Sequence, residues 1–192
     1  MRGIMDRRQE IYDYFQVNAM CQKYFLLPEN GGHLAAYYNS MYLLQDSTES
    51  LWQHRSKGFA DDPLQAYIEF WGIMQAIIIQ QDSIGQLYET ITGISLKEKV
   101  KKLPSWMAIR ELRNTCAGHP TISNEHSKTN PVTRTFMGRG FGSYDEITYE
   151  QWQEGIGTTH PTVDLGALID AYAGEAEALL VDLFNELKRK WP

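Results

Sequence analysis

The sequence predicts a mainly all-α protein: a bundle of four or five helices with a β-hairpin or ordered-loop insertion at about 121–153. Three observations carry that prediction. Apolar residues recur three or four apart through most of the chain. Glycines, prolines and capping side chains stand where those stretches stop. Between about 121 and 153 the texture changes to Gly138, Gly140 and Gly142 with the short β-prone runs "VTRTFM" and "EITYEQW", before a last helical stripe begins.

The first helix is expected over about Asp6–Leu26, on a stripe of Ile11, Tyr14, Phe15, Met20 and Phe25. "LPENGGH" breaks it through Pro28, Gly31 and Gly32. A second helix is expected over His33–His54, with Leu34, Tyr37, Tyr38, Met41, Leu44, Leu51 and Trp52 on one side. "SKGFADDP" reads as a turn in which Asp61 or Asp62 caps the next helix and Pro63 opens it. That third helix runs over about Pro63–Thr92 and stops at Gly93. Its wide apolar face, including Leu64, Tyr67, Ile68, Trp71, Met74, Ile77 and Tyr88, reads as the centre of a bundle. Asp82 lies on or near that face: buried there, a carboxylate needs a partner, for which an arginine of the basic stretch Lys97–Arg139 is the candidate, and at the helix edge it is simply wet. After the short basic helix or turn "SLKEKVKKLP", a fourth helix is expected from Ser105, a candidate N-cap, to Ala117, with Gly118 closing it. Pro120 disfavours helix at His119, which falls in a turn. "GIGTTHPTVD" reads as a connector. The final helix, capped by Asp164 or Thr162, runs to "NELKRKW", where the basic residues suit the dipole.

A chain of 192 residues forms one domain, read here as 1–192, with enough length to bury a core. Hydrophobic residues at 43% and charged residues at 22% exclude disorder over most of it. The N-terminal stretch lacks the h-region of a signal peptide, and the longest apolar run, near "WGIMQAIII", is too short to span a bilayer. Cys21 and Cys116 form no CxxC pair and read as free thiols. A cytoplasmic protein with no membrane segment is the expectation. The net charge of −6 argues against nucleic-acid binding by the whole surface. The charge is uneven, however. From Lys97 to Arg139 nine basic residues (Lys97, Lys99, Lys101, Lys102, Arg110, Arg113, Lys128, Arg134, Arg139) face three acidic ones (Glu98, Glu111, Glu125), a balance of +6 that leaves −12 for the rest. The span reads as a surface for an anion, with Lys101, Lys102 and Arg110 as candidate substrate-binding residues, or as an ordinary solvated face.

That span brackets "RELRNTCAGHPT". Arg110, Arg113, Asn114 and Ala117 lie three or four apart and share a helix face. Two arginines on one face make a poor core and a good clamp for phosphate or carboxylate. His119 follows, released from the helix by Gly118, and an imidazole can take or give a proton. Asn114 can orient that ring or a substrate oxygen. The set suits phosphodiester cleavage without a metal, a ribose 2′-OH being the attacking group. On spacing alone a plain helix stop is the commoner use of such residues, since Gly-His-Pro is a sensible one.

"RNTCAGH" resembles the R-N-x(3–5)-H form of the motif that marks the HEPN superfamily. The setting is similar too: a helical bundle, a long apolar helix beforehand, and the motif near a helix end in the second half. The resemblance covers about 34–190 in architecture and seven residues in sequence. It implies a metal-independent endoribonuclease in which Arg113 and His119 are catalytic and Asn114 supports them. It also implies a homodimer whose two motifs face one cleft, with RNA or a nucleotide as ligand, no cofactor, and a setting such as stress response or defence. Many relatives are catalytically silent and bind RNA, a nucleotide or a protein partner. The glycine-rich insertion is not part of the minimal bundle. Arg110 joins the site from helical geometry, not from the family motif.

Other features read as structural. His119, His126 and His160 have no metal-type spacing, so no metal site is expected. "GRGFGS", Gly138–Ser143, lacks the GK[ST] of a phosphate loop and reads as a hairpin turn. Trp71, Met74 and Tyr88 read as core, and Cys116 as a packed thiol. A third functional reading is a plain helical interaction domain in which Arg113 is buried against an acid such as Asp82.

Overall fold

The computed structural model describes residues 1–123, 130–140 and 142–192. Among these, seven α-helices and five short strands occur. The helices are α1 (Arg2–Val17), α2 (Ala19–Phe25), α3 (Gly31–Lys57), α4 (Pro63–Thr92), α5 (Lys97–Val100), α6 (Pro104–Arg113) and α7 (Leu165–Lys190). A 3₁₀ turn, Pro28–Asn30, precedes α3, and a π-helical turn, Asn114–Gly118, follows α6. None of the helices is long and apolar enough to cross a membrane. The protein is thus mainly α with a β insertion, as its periodicity predicts.

The long helices α3 and α4 pack along each other, with α7 and α1 against them. Their shared core holds Tyr37, Met41 and Leu44 of α3, Phe70, Met74, Ile77, Ile84 and Leu87 of α4, and Tyr172, Ala176, Leu180 and Leu183 of α7. One polar chain crosses it. The Tyr172 hydroxyl donates to Gln80 Oε1 at 2.8 Å, and Gln80 Nε2 donates to Thr48 Oγ1 at 2.7 Å. Each member is satisfied, as burial requires.

The stops of α4 and α7 are where local chemistry puts them. Asp62 accepts from the backbone of Leu64 and Gln65, and Gly93 closes α4 in the left-handed region, φ 74°. Asp164, not Thr162, caps α7 through Ala167 N. Several boundaries differ from the prediction: α1 already starts at Arg2, Gly31 and Gly32 do not break the chain but open α3, which runs on to Lys57, and α6 gives way to the π turn after Arg113. The expected single helix over Asp6–Leu26 is two, because Asn18 is extended (φ −86°, ψ 103°) and its Oδ1 caps α2 through Cys21 N at 2.8 Å. Its Nδ2 and the Tyr14 hydroxyl both donate to the carbonyl of Trp191, so the far end of the chain holds the break. Ser105 is not the cap of α6. Pro104 opens that helix, and Glu175 of α7 accepts from Ser105 N at 3.0 Å and Trp106 N at 2.7 Å, a carboxylate cap supplied by another helix.

Part of the α4 apolar face is not core. Leu64, Ile68 and Trp71 are 52, 66 and 42% exposed, whereas Met74 and Tyr88 are buried. All three exposed residues lie in the N-terminal part of α4, on its outward side.

The insertion holds two antiparallel sheets and extends beyond 153. Strands β1 (Thr133–Phe136), β3 (Glu150–Gln153) and β4 (Gly157–Thr159) form one sheet in the order β1-β3-β4. Strands β2 (Ile147–Thr148) and β5 (Thr162–Val163) form the other. The expected connector "GIGTTHPTVD" thus contributes β4 and β5. Of "GRGFGS", Phe141 lies outside the described residues. Gly142 does turn the chain, at φ 105°, and a Cβ there would meet the Glu146 carbonyl oxygen at 2.0 Å.

Tyr144 ties this segment to the bundle. Its hydroxyl and His54 Nδ1 are 2.7 Å apart, and His54 Nε2 lies 3.3 Å from Glu69 Oε2. The Glu69 carboxylate can only accept, so Nε2 donates to it; in the neutral ring Nδ1 then accepts the hydrogen bond from the Tyr144 hydroxyl. Hydrogen bonds from Ala60 N, Gln65 and His54 hold the Glu69 carboxyl below its usual range, and burial pushes the Tyr144 hydroxyl up to about 12.

Candidate functional site

Helix α6 lies against α4 and α7. Trp106, Ile109 and Leu112 are its buried side. This leaves two polar faces at its C-terminal end. One, with Arg110 and Arg113, meets α4. The other, with Glu111, Asn114 and Thr115, meets the β1–β3 sheet.

The two arginines have different partners. Arg110 Nε donates to Gln81 Oε1 at 2.7 Å, and its Nη2 is paired with the Asp82 carboxylate. Arg110 is therefore the cation that Asp82 called for, and that carboxylate is at the wet edge of α4. Arg113 is not paired with Asp82. It donates to two neutral oxygens instead, Gln75 Oε1 and Asn114 Oδ1, each at 3.2 Å. The Arg113 guanidinium also lies on the π turn: a Cβ at Gly118 would sit 2.7 Å from Nη1. Arg113 is half-buried, while Asn114 and His119 are exposed.

The π turn sets the position of His119. Its N–H donates to the Asn114 carbonyl at 2.8 Å, five residues back, so the chain makes one wide turn before Pro120 ends it. The following residues run beside β1. Ser123 and Thr133 exchange both backbone hydrogen bonds, and Thr135 N donates to the Pro120 carbonyl at 2.7 Å. Ser123 Oγ donates to the His119 carbonyl at 2.8 Å. The insertion thus fixes the backbone on the far side of His119, as α6 fixes it on the near side. The His119 ring has no hydrogen bond among the described residues, in contrast to His54.

The other predicted residues lie further out. Lys101 is paired with Glu98 at 2.6 Å, and Lys102 is exposed. Lys101 and Arg110 border a groove of about 440 Å³ between α4, α5 and α6. Asp82, Glu89 and Glu98 line that groove against Lys97, Lys101 and Arg110, so its charges balance. Elsewhere in the basic span, Lys99 is paired with Asp182 and Arg134 lies over the Trp152 ring. Lys128 and His126 fall outside the described residues. His160 is 3.6 Å from Glu150 at the surface. Burial pushes the Cys116 thiol up to about 12, which suits packing rather than nucleophilic attack.

Three features of this region are silent in the sequence: Gln75, Ser123 and the π turn itself. Gln75 reaches Arg113 across thirty-eight positions, and no local spacing encodes that. The fold and site together define a class, a helical bundle whose R-N-x4-H turn is braced by a small sheet. Comparison with protein-family models, curated proteins and solved structures gave no match to this chain.

Proposed function

We propose that this chain is a HEPN-like, metal-independent endoribonuclease that works as a homodimer. The observation that carries the reading is the state of Arg113. Its guanidinium lies on the turn that ends at exposed His119, and its partners among the described residues are neutral amides. A cation with neutral neighbours keeps its charge available for a phosphoryl group, whereas one closing an ion pair does not. In the reaction the ribose 2′-oxygen bonds to phosphorus and the P–O5′ bond breaks. His119 takes the 2′-OH proton or delivers one to the leaving 5′-oxygen. His119 of the second copy takes the complementary part, and Arg113 holds the non-bridging oxygens. The products are a 2′,3′-cyclic phosphate and a free 5′-OH. Asn114 steadies the guanidinium through its Oδ1.

One observation favours a second reading, a catalytically silent module that binds RNA, a nucleotide or a protein partner. Among the described residues the His119 ring has no orienting hydrogen bond of the kind catalytic imidazoles commonly have. The deciding experiment is RNA cleavage with EDTA present, by the wild type and by folded His119→Ala. Cleavage by the wild type alone, leaving cyclic phosphate ends, supports the nuclease. RNA bound equally by both and cut by neither supports the silent module. Equal cleavage by both removes "RNTCAGH" as a reaction centre.

A further inference from the structure

The β1–β3 sheet turns an unusual face to the bundle. Strand alternation places Thr133, Thr135, Gln151 and Gln153 on its half-buried side, and Arg134, Phe136, Glu150 and Trp152 on its exposed side. A sheet laid on a helical domain normally turns its apolar residues inward. Here Phe136 is 62% exposed, and amides and hydroxyls face in. Between them and the end of α6 lies a cleft of about 520 Å³, lined by Glu111, Asn114 and Thr115 on one side and Thr133, Gln151 and Gln153 on the other. Its volume falls within the range of small-molecule sites, about 300–1,000 Å³.

The chemistry of the lining narrows the ligand. Carboxamides and hydroxyls both donate and accept, so the cleft matches a flat, uncharged group with several polar edge atoms. Among the described residues of the lining Glu111 is the charged member, and a carboxylate there repels phosphate. It accepts hydrogen bonds only, which favours a ligand bearing an amino group. Asn114 belongs to both places: its side chain lines the cleft, and its Oδ1 receives Arg113. What the cleft holds is therefore carried beside the motif.

We infer that this cleft is a nucleobase subsite, which reads the base adjacent to the phosphate engaged by Arg113 and His119. The inference rests on the ribonuclease reading for the identity of that phosphate, but the base site can be measured without any cleavage. Gln and Asn amides recognise base edges by paired hydrogen bonds, and one such pair discriminates by roughly tenfold or more. The sheet therefore has a task beyond bracing the turn: it carries the selectivity.

The test has two arms. In the first, the ¹⁵N-labelled full-length chain is titrated with adenosine, guanosine, cytidine and uridine, which carry no phosphate. The side-chain amides of Asn114, Gln151 and Gln153 are expected to shift selectively with the amino-bearing bases and least with uridine. Gln151→Ala and Gln153→Ala, each checked for an unchanged melting curve, abolish the shifts, and Arg134→Ala on the outer face keeps them. In the second arm, a randomised RNA is cut in EDTA and the ends are sequenced. A preference of roughly tenfold beside the cut should fall below about twofold in either glutamine variant. Selective shifts without cleavage keep the base site and remove the nuclease. Cleavage that needs His119, with no base preference and no shifts, keeps the nuclease and overturns the base site. Silence in both arms overturns both.

Discussion

Replacing Arg113 with alanine tests the two roles an arginine can have at this position. If Arg113 closed a buried ion pair, its loss would strand a carboxylate and cost about 3–5 kcal/mol. Its partners are instead two amide oxygens at 3.2 Å, both at exposed sites. Those bonds are longer than the usual 2.9–3.0 Å, and water replaces them readily. At about 0.5 kcal/mol each, the lower end of the range for a net hydrogen bond, their loss costs about 1 kcal/mol. For a chain of 192 residues this lowers the melting temperature by about 2–4 °C. The measurement is thermal unfolding by circular dichroism, with urea unfolding to check that the slope is unchanged. RNA cleavage by the folded variant should be lost. A fall of more than about 10 °C would refute the reasoning, since it would mean that the charge is structurally compensated.

Three further outcomes are expected. Glu175→Gln removes the charge from the cap of α6 and should cost about 1 kcal/mol, read as a lower melting temperature and faster amide exchange at Ser105 and Trp106; unchanged exchange would mean that water caps the helix as well. Gly142→Ala forces a side chain into φ 105° and against the Glu146 carbonyl, so stability should fall by about 1–3 kcal/mol and the amide signals of β2 should move, whereas an unchanged spectrum would refute the close approach. The alkaline limb concerns Cys21 and Cys116, whose thiols burial raises from 9.0 to about 12. Between those values the unfolded chain has lost protons that the native state keeps, so stability falls as pH rises above about 9, by up to about 1.4 kcal/mol per pH unit for each thiol. Urea unfolding at about pH 8 and pH 10 should show this fall, and Cys116→Ala should reduce it; equal stability at both pH values would contradict the burial argument.

The features legible in the sequence are those whose causes lie within a few residues. Asp62, Pro63 and Gly93 bound α4 because a cap, a fixed φ and a left-handed glycine each act on the adjacent turn. The same holds for Asp164 and α7. The arginine that meets Asp82 could be narrowed to the basic span by charge, although not to Arg110, because the choice depends on how far α6 slides along α4. The exposed Leu64, Ile68 and Trp71 show the limit of periodicity. A stripe three and four apart reports a face, and only neighbouring elements decide how much of it is covered.

The candidate site divides in the same way. Arg113, Asn114 and His119 could be named together because they occupy one short stretch of chain. Their environment could not. Gln75, Glu175 and the β1 pairing with Pro120 and Ser123 all come from distant segments. The alternation of Thr133, Thr135, Gln151 and Gln153 has two equivalent directions in sequence. Which side faces inward follows from how β1 is held against the π turn, through the Ser123–Thr133 pairing and the Thr135 N–H on the Pro120 carbonyl. By itself, then, the sequence determined the helical class, the bounds of α4, the cap of α7 and the motif, since backbone propensity and capping act locally. The tertiary structure decided which cation is free of an acid among the described residues and which face of the sheet lines the cleft. Both depend on contacts between residues far apart in the chain.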